Sequence, residues 1–183
     1  RIVERKPEAV TLLTMQYRMN EKIMRFSSNW FYNGKVVAAP EVKFRGILDL
    51  DTPMEWRNID DLSENDEESE VTKSGRYNEE FVGENFGRVN KPEARETLMA
   101  LAEYFVKIEK QRIMDERIDV GIISPYRAQV QYIRHLIKKT DFFKPFRKII
   151  SVNTVDGFQG QERDVILVSL VRSNAEGQIG FLR

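Results

Sequence analysis

An α/β fold with a mostly parallel sheet is the class this sequence predicts, and three observations predict it. Short β-branched runs (119–123, 149–155 and 165–171) alternate with segments whose apolar residues recur at helical spacing. The first two runs stop at a turn signal, Ser124-Pro125 and Asp156-Gly157. The segments between runs are long enough for a helical crossover, which makes successive strands parallel and lays helices on both faces. In such a sheet ligands bind at the carboxyl ends of the strands. Polar residues just after each run are therefore the candidate functional ones.

Composition bounds the rest. The 183 residues suffice for one domain with a real core, and 41% hydrophobic with 32% charged residues describe a soluble globular chain. No apolar run approaches the ~20 residues of a membrane span, and no signal-peptide pattern opens the chain. The absence of cysteine excludes disulfides, and a single histidine makes a structural zinc site implausible. His135 falls off the apolar face of its helix and is expected in solvent, not on a metal. A cytoplasmic setting is compatible with all of this. Net charge is zero, 29 basic against 29 acidic residues, whereas a dedicated phosphate-gripping protein is usually basic.

Taken in order, Thr11 to Met15 reads as a short strand leading into Gln16-Tyr17-Arg18-Met19. Asn20 caps a helix from Glu21 to about Tyr32, with Ile23, Phe26, Trp30 and Phe31 as its core-facing side. Asn33-Gly34 supplies a left-handed stop. Val36 to Leu50 reads as a connection with an edge strand. Residues 60–70 carry seven acids in eleven positions, a self-repelling run expected to be a solvated loop. Together with the glycine-dotted stretch through Arg88 it makes residues 51–89 an acidic, irregular insertion. Asn90 then caps a helix predicted to run to about Met114, its inner face formed by Ala94, Leu98, Leu101, Ala102, Phe105 and Ile108. Asn90 with Glu93 three residues on reads as a capping box, with Pro92 tolerated in the first turn. After the run 119–123, Ser124 is the expected cap of a helix to about Lys139, with Val130, Ile133, Leu136 and Ile137 inward. Lys138 to Lys148 holds five basic residues against one acid, with Phe142, Phe143 and Phe146 between them. Such phenylalanines pin a surface loop to the core more often than they stack on bases.

The last stretch is the richest. Ile149 to Val155 stops at Asp156-Gly157, and a polar loop through Gln159, Gly160, Gln161, Glu162 and Arg163 leads into Val165 to Val171. Gly157 and Gly160 would let backbone amides approach something small and anionic. On pattern alone, a solvated tight connection explains the loop equally well. Asp156 and Asp164 are expected to cap turns or form ion pairs, not to bind metal.

Together, Gln16-Tyr17-Arg18-Met19 and Thr154-Val155-Asp156-Gly157-Phe158-Gln159-Gly160-Gln161-Glu162 resemble motifs IV and V of superfamily 1 helicases. The resemblance is to the group of the nonsense-mediated-decay and immunoglobulin-mu-binding helicases, in their second RecA-like motor domain. It covers nearly all of residues 1–183 and is weakest between about Leu50 and Arg88. It implies a RecA-like αβα sandwich of three layers whose parent couples ATP hydrolysis to 5′ to 3′ movement along single-stranded DNA or RNA. Carried over residue by residue, Arg18 is an arginine finger on the γ-phosphate and Tyr17 stacks on adenine. Gly160 approaches the γ-phosphate through its amide, and Glu162 accepts from a ribose hydroxyl. Thr154 and Gln159 lie towards the nucleic-acid strand, and the Ser-Pro-Tyr-x-x-Gln element implicates Ser124, Tyr126 and Gln129 beside it. Arg172, in a Val-Arg-Ser-Asn element, also has a family counterpart.

Departures from the family pattern shape the expectation. No Gly-x-x-x-x-Gly-Lys-Ser/Thr occurs, so the phosphate cradle and the ligands for Mg²⁺ are expected from a first RecA-like domain outside these residues. Motif VI is expected just beyond Gly180-Phe181-Leu182, where the sequence stops. The chain therefore reads as part of a motor, inactive by itself. The competing reading is a non-enzymatic module that binds single strands or, through its acidic run, a protein.

Overall fold

The computed structural model describes residue 5 and residues 9–48, 52–59, 78–83 and 87–180. The chain forms two compact units, Arg1–Arg57 and Asn58–Arg183. The acidic run 60–70 lies outside the described residues. Among those described, no helix is long and apolar enough to cross a membrane.

In the first unit, strand β1 (Met15–Gln16) pairs in parallel with β2 (Val37–Ala38), and helix α1 (Glu21–Tyr32) connects them. Asn20 caps α1 by accepting from the Lys22 amide, and Asn33 and Gly34 end it at φ 51° and 71°. The helix has its expected bounds but buries the other side. Trp30 is 73% exposed, and Ile23, Phe26 and Phe31 are exposed as well. The inward positions are Asn20, Met24 and Ser28, four residues apart on one face. The Asn20 amide donates to the Arg45 carbonyl (2.8 Å), and the Ser28 hydroxyl donates to that of Val36 (2.6 Å). Two polar ties thus set the helix rotation, and Met24 fills the small core with Ala38, Ala39 and Val42.

In the second unit, β5 (Val120–Ser124) is the centre of a three-stranded parallel sheet, flanked by β6 (Ile150–Thr154) and β7 (Val165–Val168). Val120 is in register with both Ile150 and Val165. This is the parallel α/β architecture the alternation predicts. The region expected to be irregular up to Arg88 contains an antiparallel hairpin, β3 (Glu80–Val82) with β4 (Gly87–Val89). Helix α2 (Lys91–Ile108) follows, and it does not continue to Met114. Glu109 turns left-handed (φ 73°) and a separate α3 (Lys110–Asp115) begins. The reason is phase. At ~100° per residue, Ile113 would stand about 140° around the helix from Ile108, yet both are buried, at 0% and 2% exposure. The break swings Ile113 back into the core.

Helix α4 (Arg127–Lys139) packs on β5 and β6, while α2 packs on α4 and β7. Ala94, Leu98, Leu101, Phe105 and Ile108 of α2 are buried as expected, as are Val130, Ile133 and Ile137 of α4. Residues Asp141–Phe146 form a 3-10 helix that buries Phe143 and Phe146, with the Phe105 and Phe146 rings 4.6 Å apart. Most of the basic-aromatic segment's rings are therefore pins to the core.

On the opposite pleat of β5, Gly121 lies under the Phe158 ring. A Cβ at Gly121 would stand 2.6 Å from Phe158 Cζ and 2.8 Å from Ile166 Cδ1. Gly121→Val is accordingly expected to cost about 1–3 kcal/mol by overpacking, read as a lower urea midpoint with unchanged slope. A midpoint equal to wild type would show that Phe158 moves away freely.

Candidate nucleotide and nucleic-acid site

The first unit presents one candidate loop of its own. β1 ends at Gln16, whose side chain folds back over the next three residues. Its Oε1 accepts from the amides of Arg18 and Met19, both at 2.8 Å, and its Nε2 donates to the Met19 carbonyl at 2.7 Å. A glutamine amide thereby replaces a missing peptide partner for the loop backbone. Met19 packs against the small core. The Arg18 carbonyl accepts from Arg45 Nη1 at 3.1 Å, which braces the loop from outside. Between these anchors Tyr17 is 64% exposed and Arg18 is exposed, both just beyond the carboxyl end of β1. Within the tetrapeptide, Gln16 and Met19 hold the backbone while Tyr17 and Arg18 are presented.

Considered by itself, the second unit presents the loop after β6. Thr154 Oγ1 accepts from the Gly157 amide (3.3 Å) and caps the single helical turn α5 (Val155–Phe158). Accepting that bond leaves the hydroxyl proton able to donate. The Asn153 side chain lies under the turn, accepting from the Thr154 amide and donating to the Gly157 carbonyl. A Cβ on Gly157 would stand 2.5 Å from Asn153 Oδ1, so glycine is needed there for close approach. Gly160 is different: its φ is 81°, and no atom lies within 4 Å of where its Cβ would be. It forms an open, left-handed corner at the rim.

Arg163 staples the rest of this loop. Its guanidinium donates to Ser151 Oγ (3.0 Å), the Glu162 carbonyl (2.7 Å) and Gln161 Oε1 (2.8 Å), and it lies over the Phe158 ring. Asp164 and Asp119 each accept from the other's amide, at 3.0 and 3.1 Å, which ties the starts of β5 and β7 together. Asp164 therefore accepts from the start of a neighbouring strand instead of capping its own turn. Gln159, Gly160 and Glu162 are exposed, and Thr154 is half-buried.

The expected contacts after β5 are placed differently. Ser124 is the last residue of the strand, paired with Thr154, and is 0% exposed. It does not cap α4. Tyr126 is the capping residue, and Ser124 Oγ accepts its amide only at 3.5 Å. Tyr126 is itself extended (φ −111°, ψ 124°), so the helix begins only at Arg127, out of reach of a cap by Ser124. Gln129 is also 0% exposed, while Tyr126 is half-buried at the edge. Only Tyr126 of the three presents surface.

The capping box at the start of α2 is half made. Asn90 Oδ1 accepts from the Glu93 amide (3.0 Å), but the Asn90 amide donates to Gln129 Oε1 (2.9 Å) instead of to Glu93. The Glu93 carboxylate turns to the end of β7, accepting from Ser169 Oγ and the Val171 amide. Sequence reasoning did not find this connection, because the partners are 76 to 78 residues apart.

A family model described as an AAA domain (AAA_12) matches residues 1–183. DNA polymerase alpha-associated DNA helicase A of Saccharomyces cerevisiae is 35% identical, over 97% of this chain and 25% of its own length. An uncharacterized ATP-dependent helicase of Methanocaldococcus jannaschii is also 35% identical, over 100% of this chain and 25% of its own. The DNA replication ATP-dependent helicase/nuclease DNA2 of Mus musculus is 31% identical, over 98% and 17%. The chain thus spans a quarter or less of the length of these relatives.

Proposed function

The chain belongs to the AAA domain family, and from that premise we propose that it is the second RecA-like motor domain of a superfamily 1 helicase. In this reading it supplies the arginine finger and single-strand contacts for ATP-driven 5′ to 3′ movement on DNA or RNA. The observation that carries it is the Gln16 loop, which spends its backbone hydrogen bonds on Gln16 and presents Tyr17 and Arg18 outward. A phosphate-sensing arginine must be held at its backbone and be exposed at the surface, and in this loop the backbone is held and Arg18 is exposed.

The first motor domain would hold ATP together with the Mg²⁺ that offsets charge on its phosphates. Among the described residues here no cluster of three or more His, Cys, Asp or Glu is placed to hold a metal ion. Tyr17 stacks on the adenine. As the two motor domains close, the Arg18 guanidinium meets the γ-phosphate and offsets charge developing during transfer. The Gly160 amide, with no side chain to obstruct it, donates to the same phosphate group, and Glu162 accepts from the ribose. Thr154 donates its hydroxyl proton to a phosphate of the strand, beside Gln159 and Tyr126, while buried Ser124 supports the turn. One loop thereby serves both ligands, which is how closure on ATP becomes movement along nucleic acid.

The test is turnover. The purified 183-residue chain is expected to show no ATP hydrolysis above background, and a chain extended to include the first motor domain to hydrolyse ATP in a strand-stimulated manner. Appreciable turnover by the 183 residues alone would contradict the reading.

A further inference from the structure

Val171 is fully buried and β-branched, yet it sits at φ 73°. The Arg172 amide donates to the Leu170 carbonyl at 2.9 Å, closing a three-residue turn around it. A γ-turn of positive φ is rare and strained, and for a β-branched residue such a conformation is an outlier. It persists because both of its peptide groups are gripped. The Glu93 carboxylate takes the Val171 amide at 2.9 and 3.0 Å, and Asn90 Nδ2 donates to the Val171 carbonyl at 3.2 Å.

The grip continues into α4. Gln129 Nε2 donates to Ser169 Oγ (3.0 Å), and that hydroxyl donates to Glu93 Oε1 (2.7 Å). Gln129 also holds the Asn90 backbone at its amide and its carbonyl, each at 2.9 Å. Asn90, Gln129 and Ser169 are all 0% exposed. An unbroken chain of hydrogen bonds therefore runs from the first turn of α4, three residues after Tyr126, to the strained turn that precedes Arg172. Both ends lie at the carboxyl edge of the same parallel strands.

Strain held by surrounding contacts is a reservoir for a two-state element, and coupling between sites needs a contiguous physical path. We propose that Glu93 and Ser169 are positioning residues, which couple strand contact at the Tyr126 turn to the Val171 turn at the same carboxyl edge of the sheet, the edge where α/β sheets bind their ligands. This assignment rests on the helicase reading above.

The test uses the longer protein with both motor domains. ATP turnover is measured with and without a saturating single strand, alongside the Kd for ATP and the melting temperature. Glu93→Gln keeps the shape and removes the charge. It is expected to lower strand-stimulated kcat at least tenfold while unstimulated turnover and ATP affinity stay within twofold. Ser169→Ala removes only the bridging hydroxyl, should fold if Glu93→Gln does not, and is expected to lower stimulation about threefold. Equal loss of stimulated and unstimulated rates, or stimulation that survives in both variants, would overturn the proposal. A wild-type protein whose turnover ignores the strand would instead sink the helicase reading, and this one with it.

Discussion

Arg18→Ala in a helicase carrying this chain is expected to lower ATP turnover about 10³-fold or more, the scale of a lost arginine finger. The loop itself should survive the change. Gln16 holds the amides of residues 18 and 19, and Arg45 holds the residue 18 carbonyl. None of these bonds uses the arginine side chain. The loss would therefore report on transition-state charge and not on a collapsed loop. Arg18→Lys should recover little, because an ammonium cannot match phosphate oxygens with a planar fork. Steady-state kcat with saturating ATP and strand makes the measurement, with strand affinity as the control. An unchanged kcat would remove Arg18 from the reaction.

The second large effect is on stability and concerns Glu79. Its carboxylate meets Arg88 Nη1 at 2.5 Å and Arg172 Nε at 3.2 Å, and accepts from the Ser173 amide at 2.6 Å. Side-chain exposure is 3% for Glu79 and 7% for Arg172, so the pair lies out of water. The Glu79 amide returns a bond to the Ser173 carbonyl. Glu79→Ala strands a buried guanidinium, which typically costs about 3–5 kcal/mol. The lower end is expected, since Arg172 also donates to the Gln178 carbonyl and Arg88 lies over the Phe81 ring. Urea unfolding of the 183-residue chain reads the cost. Removing Arg172 as well should restore part of it, because the two changes are coupled. A loss below about 1 kcal/mol would mean that water reaches the arginines once the acid is gone.

These two sites mark where sequence reading reached and where it stopped. Arg18 stands in a tetrapeptide whose four residues divide the work among themselves, so its exposure and its loop were legible locally. Glu79 lies in a stretch read as irregular, and its partners are 9 and 93 residues away. Nothing in a window of neighbouring residues signals such a contact. The same contrast runs through Gln129. Its family element suggested a ligand contact, but its hydrogen-bonding groups are spent inside, on Asn90 and Ser169.

The order of helices and parallel strands, the bounds and cap of α1, the inner face of α2 and the two exposed loops were determined by the sequence itself. Those features depend on period, capping and turn chemistry, which act over a few residues. Tertiary structure alone decided which side of α1 faces in, where α2 breaks, and that Glu93 leaves its own helix to hold Val171. In each case buried groups distant in sequence had to find partners or cover. A polar tie from Ser28, a phase reset before Ile113 and a carboxylate on a strained amide were the arrangements that met that need.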